Sequence, residues 1–177
     1  QRSDGGVSQS SLPVVLEQGW DASGSGTYLW HMIERDVLQR YRPAGGKLRL
    51  VVVTDGEDNL SPSPEYRGMR GMDPMMRKLS QAGYDIEWHI VVIGGETGRM
   101  GRRYQALAGA TGGSFLAIPN DFDPKSKDSR ALLDAIWNST DEHGRRERQK
   151  RYEEDASAGK LDKLDWYKML PPGDSKK

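Results

Sequence analysis

Residues 48–56 read LRLVVVTDG. Leu50, Val51, Val52 and Val53 follow one another without polar alternation, the pattern of a strand covered on both faces inside a parallel sheet. The run stops at Asp55-Gly56, with Glu57 and Asp58 directly behind it. Two later runs have the same character: IEWHIVVIGG over 86–95, and SFLAI over 114–118. A helix fits between the first two, Pro74 to Ala82, with Asp73 as its cap, Pro74 at its first position and Gly83 after its last. A shorter helix, Tyr104 to Ala110, fits between the second and third, after a loop ETGRMG. Strands alternating with helices require crossovers, so the fold class expected is α/β, a mainly parallel sheet with helices on both faces. Functional loops of such sheets lie at the carboxyl ends of the strands. Asp55, Gly94, Gly95 and the residues after Ile118 all fall there.

Working outward, a helix is expected from about Tyr28 to Tyr41, with Leu29, Ile33, Val37 and Tyr41 as its apolar stripe. Thr27 stands where an N-cap would, and Pro43, Gly45 and Gly46 stop the helix. Residues 12–16, LPVVL, read as a short strand that Pro13 places at an edge or a strand start. Residues 1–11 are polar and glycine-rich, a flexible entry. Beyond the third strand, Asp128 or Ser129 caps a helix running to about Asn138, with Leu132, Leu133, Ile136 and Trp137 on its apolar face. The domain is therefore expected to span 12–140. From 141 to 177 both charge signs are densely mixed, as in a solvated helix or a disordered tail. Within that tail, 161–172 (LDKLDWYKMLPP) concentrates Leu161, Leu164, Trp166, Tyr167, Met169 and Leu170, a cluster that either folds back or docks on a partner.

The chain has 177 residues, enough for one domain with a real core. Its 26 basic and 26 acidic residues balance, which gives no reason to expect nucleic acid or an anionic membrane as partner. Cysteine is absent, which removes disulfides, thiolate metal sites and a Cys nucleophile, and is what an intracellular chain would show. No apolar run approaches the roughly 20 residues of a membrane helix, and no signal peptide is visible. Localisation is otherwise open. Beginning at Gln1, the chain reads as processed or excerpted from something longer.

Asp55, held at the end of a rigid apolar strand, is a suitable oxygen ligand for a hard cation such as Mg²⁺; as part of an Asp-Gly pair it is equally a turn residue. Thr27 follows Gly-Ser-Gly and can reach a cation or merely cap a helix. Asp21, Ser23 and Ser25 form D-x-S-x-S, three oxygens at alternate positions that face one way in an extended loop. Other candidates are weaker. His31, His89 and His143 lie on separate elements. GGETGRMG lacks dinucleotide-binding order. Arg99, Arg102 and Arg103 read as a solvated loop, and no nucleophile elbow accompanies any Ser, His and Asp.

The ordered set LRLVVVTDGEDN, IEWHIVVIGG, RYQALAGATGGSFLAI and ALLDAI, with GSGTYLWHMI opening a helix upstream, resembles the von Willebrand factor type A domain family over roughly Leu12 to Thr140. Thr27 and Asp55 are 28 positions apart. The resemblance implies a metal ion-dependent adhesion site: Mg²⁺ held by Thr27 and Asp55, with a D-x-S-x-S loop after the first strand. The ion's open position would take a carboxylate from a partner protein. One departure stands out, because the family places D-x-S-x-S several elements before its Thr, whereas here DASGS abuts Thr27. Either the chain is the carboxyl-terminal part of a larger domain, or LPVVL is a shortened first strand and Asp21, Ser23 and Ser25 are true ligands. The first is preferred, since Glu17, Gln18, Gly19 and Trp20 interrupt the strand before Asp21. It leaves an apolar sheet edge for a partner to cover, such as the missing part of the same precursor.

The function expected is a non-enzymatic protein-binding module acting as a subunit of an assembly. The alternatives are a Mg²⁺-dependent phosphoryl-transfer or hydrolytic enzyme using Asp55 and Asp58, and a purely structural subunit with a degenerate metal site.

Overall fold

The computed structural model describes residues 27–40, 47–94, 98–119 and 142–164. Three strands, β1 (Lys47–Thr54), β2 (Asp85–Ile93) and β3 (Phe115–Ile118), form one parallel sheet in the order β1-β2-β3. All three carboxyl ends therefore share an edge. The fold is a small α/β sheet of the general kind the sequence pattern calls for.

β2 is the central strand and is buried without a break from Ile86 to Val92, including the polar Glu87 and His89. β1 differs from the expectation. Val52 and Thr54 are buried, but Val51 and Val53 on the opposite face are 37% and 42% exposed. The reason is packing: the helices of the core cover the Val52 face, and among the described residues no core residue packs over Val51 and Val53 on the other face of β1. The expected strand 12–16 and the Asp21, Ser23, Ser25 loop lie outside the described residues.

Among the described residues, four α-helices accompany the sheet: α1 (Leu29–Ile33), continued by a π-helical stretch Glu34–Arg40; α2 (Met72–Gln81); α3 (Arg99–Ala110); and α4 (Glu142–Ser157). Two successive crossovers in one direction put α2 and α3 on one face of the sheet. There they join α1 in a single core around Trp88, Ile90 and Val92. Trp30 of α1 is its keystone, with its ring 6.1 Å from that of Trp88 and 6.4 Å from that of Tyr104. The opposite face carries a separate small cluster of Val91, Ile118, Ile93 and Leu116. The helix expected over 128–138 lies outside the described residues, so helices on both faces remain an expectation.

Two helix starts differ from the sequence expectation. Asp73 does not cap α2. Gly71 holds that position without a side-chain bond, and the Asp73 carboxylate pairs instead with Arg103 of α3. Helix α3 begins at Arg99, not at Tyr104, so Arg99, Arg102 and Arg103 belong to a helix rather than a loop. Buried Met100 and Gly101 anchor that extra turn.

Thr-Gly-Gly at 111–113 has a clear physical role. The Thr111 hydroxyl accepts the Trp88 N–H at 3.1 Å and lies 2.9 Å from the Leu107 carbonyl, sealing the end of α3 to β2. Gly112 has φ +77°, and a Cβ on Gly113 would fall inside the Trp88 backbone.

Helix α4 is docked by polar contacts. Arg145 Nε donates to Thr111 O at 3.1 Å, Arg148 Nε to Gly112 O at 2.6 Å and Gln149 Nε2 to Ala110 O at 3.3 Å. These side chains take up carbonyls that the end of α3 leaves without intrahelical donors. Tyr152 is buried, and its hydroxyl accepts the Leu164 N–H at 3.1 Å and donates to Asp162 O at 3.2 Å. Leu164 is buried in the same core and Leu161 packs against it, so this start of 161–172 folds back on its own chain. Residues 165–177 lie outside the described residues.

Candidate functional site

The carboxyl edge of β1 meets the start of α1. Asp55 follows the last residue of β1, and its Oδ1 accepts a hydrogen bond from Thr27 Oγ1 at 3.5 Å, across 28 positions of sequence. Of the expected ligands, the structure brings these two together at an exposed position.

What holds them is the loop that follows Asp55. Asn59 Oδ1 accepts the Thr27 N–H at 2.8 Å, and the Asn59 and Leu60 N–H groups both donate to Thr27 O at 3.1 Å. Asp58 is wholly buried. Its Oδ2 accepts the Trp30 N–H at 2.8 Å and the Ser61 hydroxyl at 2.5 Å, while Oδ1 accepts the Ser61 N–H at 2.9 Å. Ser61 Oγ in turn accepts the His31 N–H at 3.2 Å. Helix α1 starts after Tyr28, which provides no side-chain cap, so the expected capping by Thr27 is replaced by capping from the loop. The Asp58 carboxylate, expected as a Mg²⁺ ligand only in the alternative enzymatic reading, faces inward onto main-chain and hydroxyl donors. The spacing D-N-L-S at 58–61, an acid followed three residues on by a hydroxyl, was the available signal for such a turn.

A shallow recess beside this loop is lined by Trp30, Glu57, Met72, Met100, Arg103 and Tyr104, with room for no more than about one water molecule. Burial, with Asp58 and Glu57 nearby, pushes the Tyr104 phenol above its ordinary range, so it stays protonated. Its hydroxyl donates to Gly56 O at 3.4 Å, supporting the same loop from below.

The two side-chain oxygens of Thr27 and Asp55 are the kind a hard cation takes, with water or a partner's oxygens completing its shell. Among the described residues there is no group of three or more His, Asp or Glu side chains arranged to hold a metal. The remaining expected donors, Asp21, Ser23 and Ser25, lie outside the described residues.

The structure also assembles a constellation that sequence order conceals. His89, fully buried on β2, lies between Glu87 and Ser114. Its Nδ1 is 2.7 Å from Ser114 Oγ and accepts the Ser114 N–H at 3.3 Å, which assigns the ring proton to Nε2. Nε2 is 3.2 Å from Glu87 Oε1 but off the line of a hydrogen bond, so that contact is electrostatic. Arg49 and Arg148 also hold Glu87, at 3.3 and 3.2 Å. With its acid committed to two guanidiniums and its imidazole enclosed, the group ties β2 to β1, α4 and the start of β3. His31 and His143 sit apart from it, on α1 and α4.

No protein-family model, curated protein or solved structure matches this chain. Among the described residues no helix is long and apolar enough to cross a membrane.

Proposed function

We propose that this chain is a protein-binding module of the von Willebrand A type, a non-enzymatic subunit of a larger assembly that engages its partner through a divalent cation at Thr27 and Asp55. The observation that carries the reading is the approach of the part-buried Thr27 hydroxyl to the exposed Asp55 carboxylate at the carboxyl edge of a parallel sheet. That edge is where open α/β sheets bind. The adjoining recess is far smaller than the roughly 300 Å³ at which small-molecule sites begin, which favours an exposed contact with a macromolecule. Mg²⁺ suits the donors, and a carboxylate on the partner would complete its shell.

The test is capture of the partner on the immobilised chain with Mg²⁺ or with EDTA. Capture should need Mg²⁺ and disappear in Asp55→Ala. Capture indifferent to both would overturn the metal-dependent reading.

A further inference from the structure

We infer that Asp58 is the positioning residue of this site, holding the start of α1 so that the Thr27 hydroxyl is left for Asp55. The inference rests on the reading of Thr27 and Asp55 as the binding pair. The N–H groups of a first turn are ordinarily taken by a side-chain oxygen at the N-cap. Here the N-cap is Tyr28, which offers none, and the Thr27 hydroxyl, one residue before it, is the nearest along the chain. Those groups need partners because no preceding carbonyl reaches them. Here the need is met from elsewhere: Asp58 takes the Trp30 N–H, and Ser61, itself fixed by Asp58, takes the His31 N–H. Thr27 is thereby relieved of capping. Its main chain is pinned by Asn59 and Leu60, and its hydroxyl turns to Asp55.

Asp58 suits this task because it is buried and both its oxygens accept, three bonds in all. An asparagine has the same shape but must turn an NH₂ toward one of those donors. One bond is then lost and two donors face each other. Thr27, with the first turn uncapped, would become the nearest replacement acceptor, and its hydroxyl would leave Asp55.

The experiment compares the parent chain with Asp58→Asn, and with Ser61→Ala as the milder variant should Asp58→Asn not fold. Two readouts are used. The first is the γ-methyl NMR signal of Thr27 and its response to Asp55→Asn, which needs no metal. The second is Mn²⁺ affinity. The methyl should respond to Asp55→Asn in the parent and lose that response when the clasp is altered. Mn²⁺ affinity should fall at least tenfold, with no further loss on adding Thr27→Val. Amide exchange at Trp30 and His31 should accelerate while Val91 and Val92 in β2 hold, which separates positioning from general destabilisation. A methyl response that persists in both clasp variants overturns the inference, as does acceleration spread equally into β2. If the parent binds no Mn²⁺ but the methyl response behaves as stated, the metal reading falls and the positioning role stands.

Discussion

The Arg145 guanidinium lies against both oxygens of Asp85, at 3.0 and 2.5 Å, and joins the first turn of α4 to the first residue of β2. The two side chains are 13% and 20% exposed, and Arg145 Nε also holds the Thr111 carbonyl. Burial works to lower the Arg145 pKa, and Asp85 more than offsets it, leaving the guanidinium held above its ordinary value. Arg145→Ala should therefore leave Asp85 and a helix-end carbonyl both without their donor. A loss of about 2 kcal/mol is expected in urea unfolding, the scale of a charged hydrogen bond broken at a part-buried site. Arg145→Lys should recover only part of it, because an ammonium cannot serve two carboxylate oxygens in the planar fork of a guanidinium.

Glu87 supplies a pH dependence. Burial pushes its carboxyl up, but His89 and Arg49 outweigh burial and hold it below the ordinary 4.5. A carboxyl whose folded pKa is depressed contributes fully above its unfolded value and loses that contribution as pH falls through the folded one. Stability should thus be flat above about pH 5 and decline below 4.5. Glu87→Gln should lower stability at pH 7 by about 2 kcal/mol and make the acid decline shallower in urea titrations. The decline should not vanish. Asp36, held low by its bond from Arg35, acts in the same direction, as does Glu34, where burial is outweighed by Lys78 and Tyr66.

Gly113→Ala probes the packing behind the Thr-Gly-Gly turn. The added methyl would meet the Trp88 main chain, which is fixed by pairing with Leu50 of β1 and by its N–H bond to Thr111 Oγ1. A cost of about 3 kcal/mol is expected, at the upper end for overpacking. Gly83→Ala is the contrasting control. Nothing lies within 4 Å of its added methyl, so only the backbone strain of φ +78° remains. Strain of that kind costs roughly 1–2 kcal/mol, and thermal unfolding should separate the two variants.

How far the sequence disclosed all this differs between elements. The parallel strands were legible because burial on both faces writes a mostly apolar run, and β2 is such a strand although Glu87 and His89 are buried within it. The same rule overstated β1, whose run is equally apolar although Val51 and Val53 are exposed. Composition alone does not distinguish a central strand from a bordering one. The first turn of α3 was hidden in glycine and arginine, where its anchors are one methionine and a glycine too small to register as apolar. Helix α4 gave no stripe because it is held by guanidinium and amide groups on carbonyls, with Tyr152 its one buried side chain among the described residues.

For the candidate site, the spacing from Thr27 to Asp55 was readable, and the structure places the two within 3.5 Å. The clasp of Asp58, Asn59 and Ser61 was not, because polar residues in a loop look alike until their partners are known. Each of those partners lies 28 to 32 positions away, except those within the turn itself.

The borrowed cap on α1 has one further consequence. The helical segment Leu29–Arg40 is too short to stand alone in water, so it draws its order from Trp30 and Ile33 in the core and, at its start, from the loop after β1 closed upon it. Whatever grips Thr27 and Asp55 together also favours that closed loop, and linkage makes the exchange reciprocal. On the proposed reading, occupancy of the edge and order at the start of the helix would be two readings of a single equilibrium.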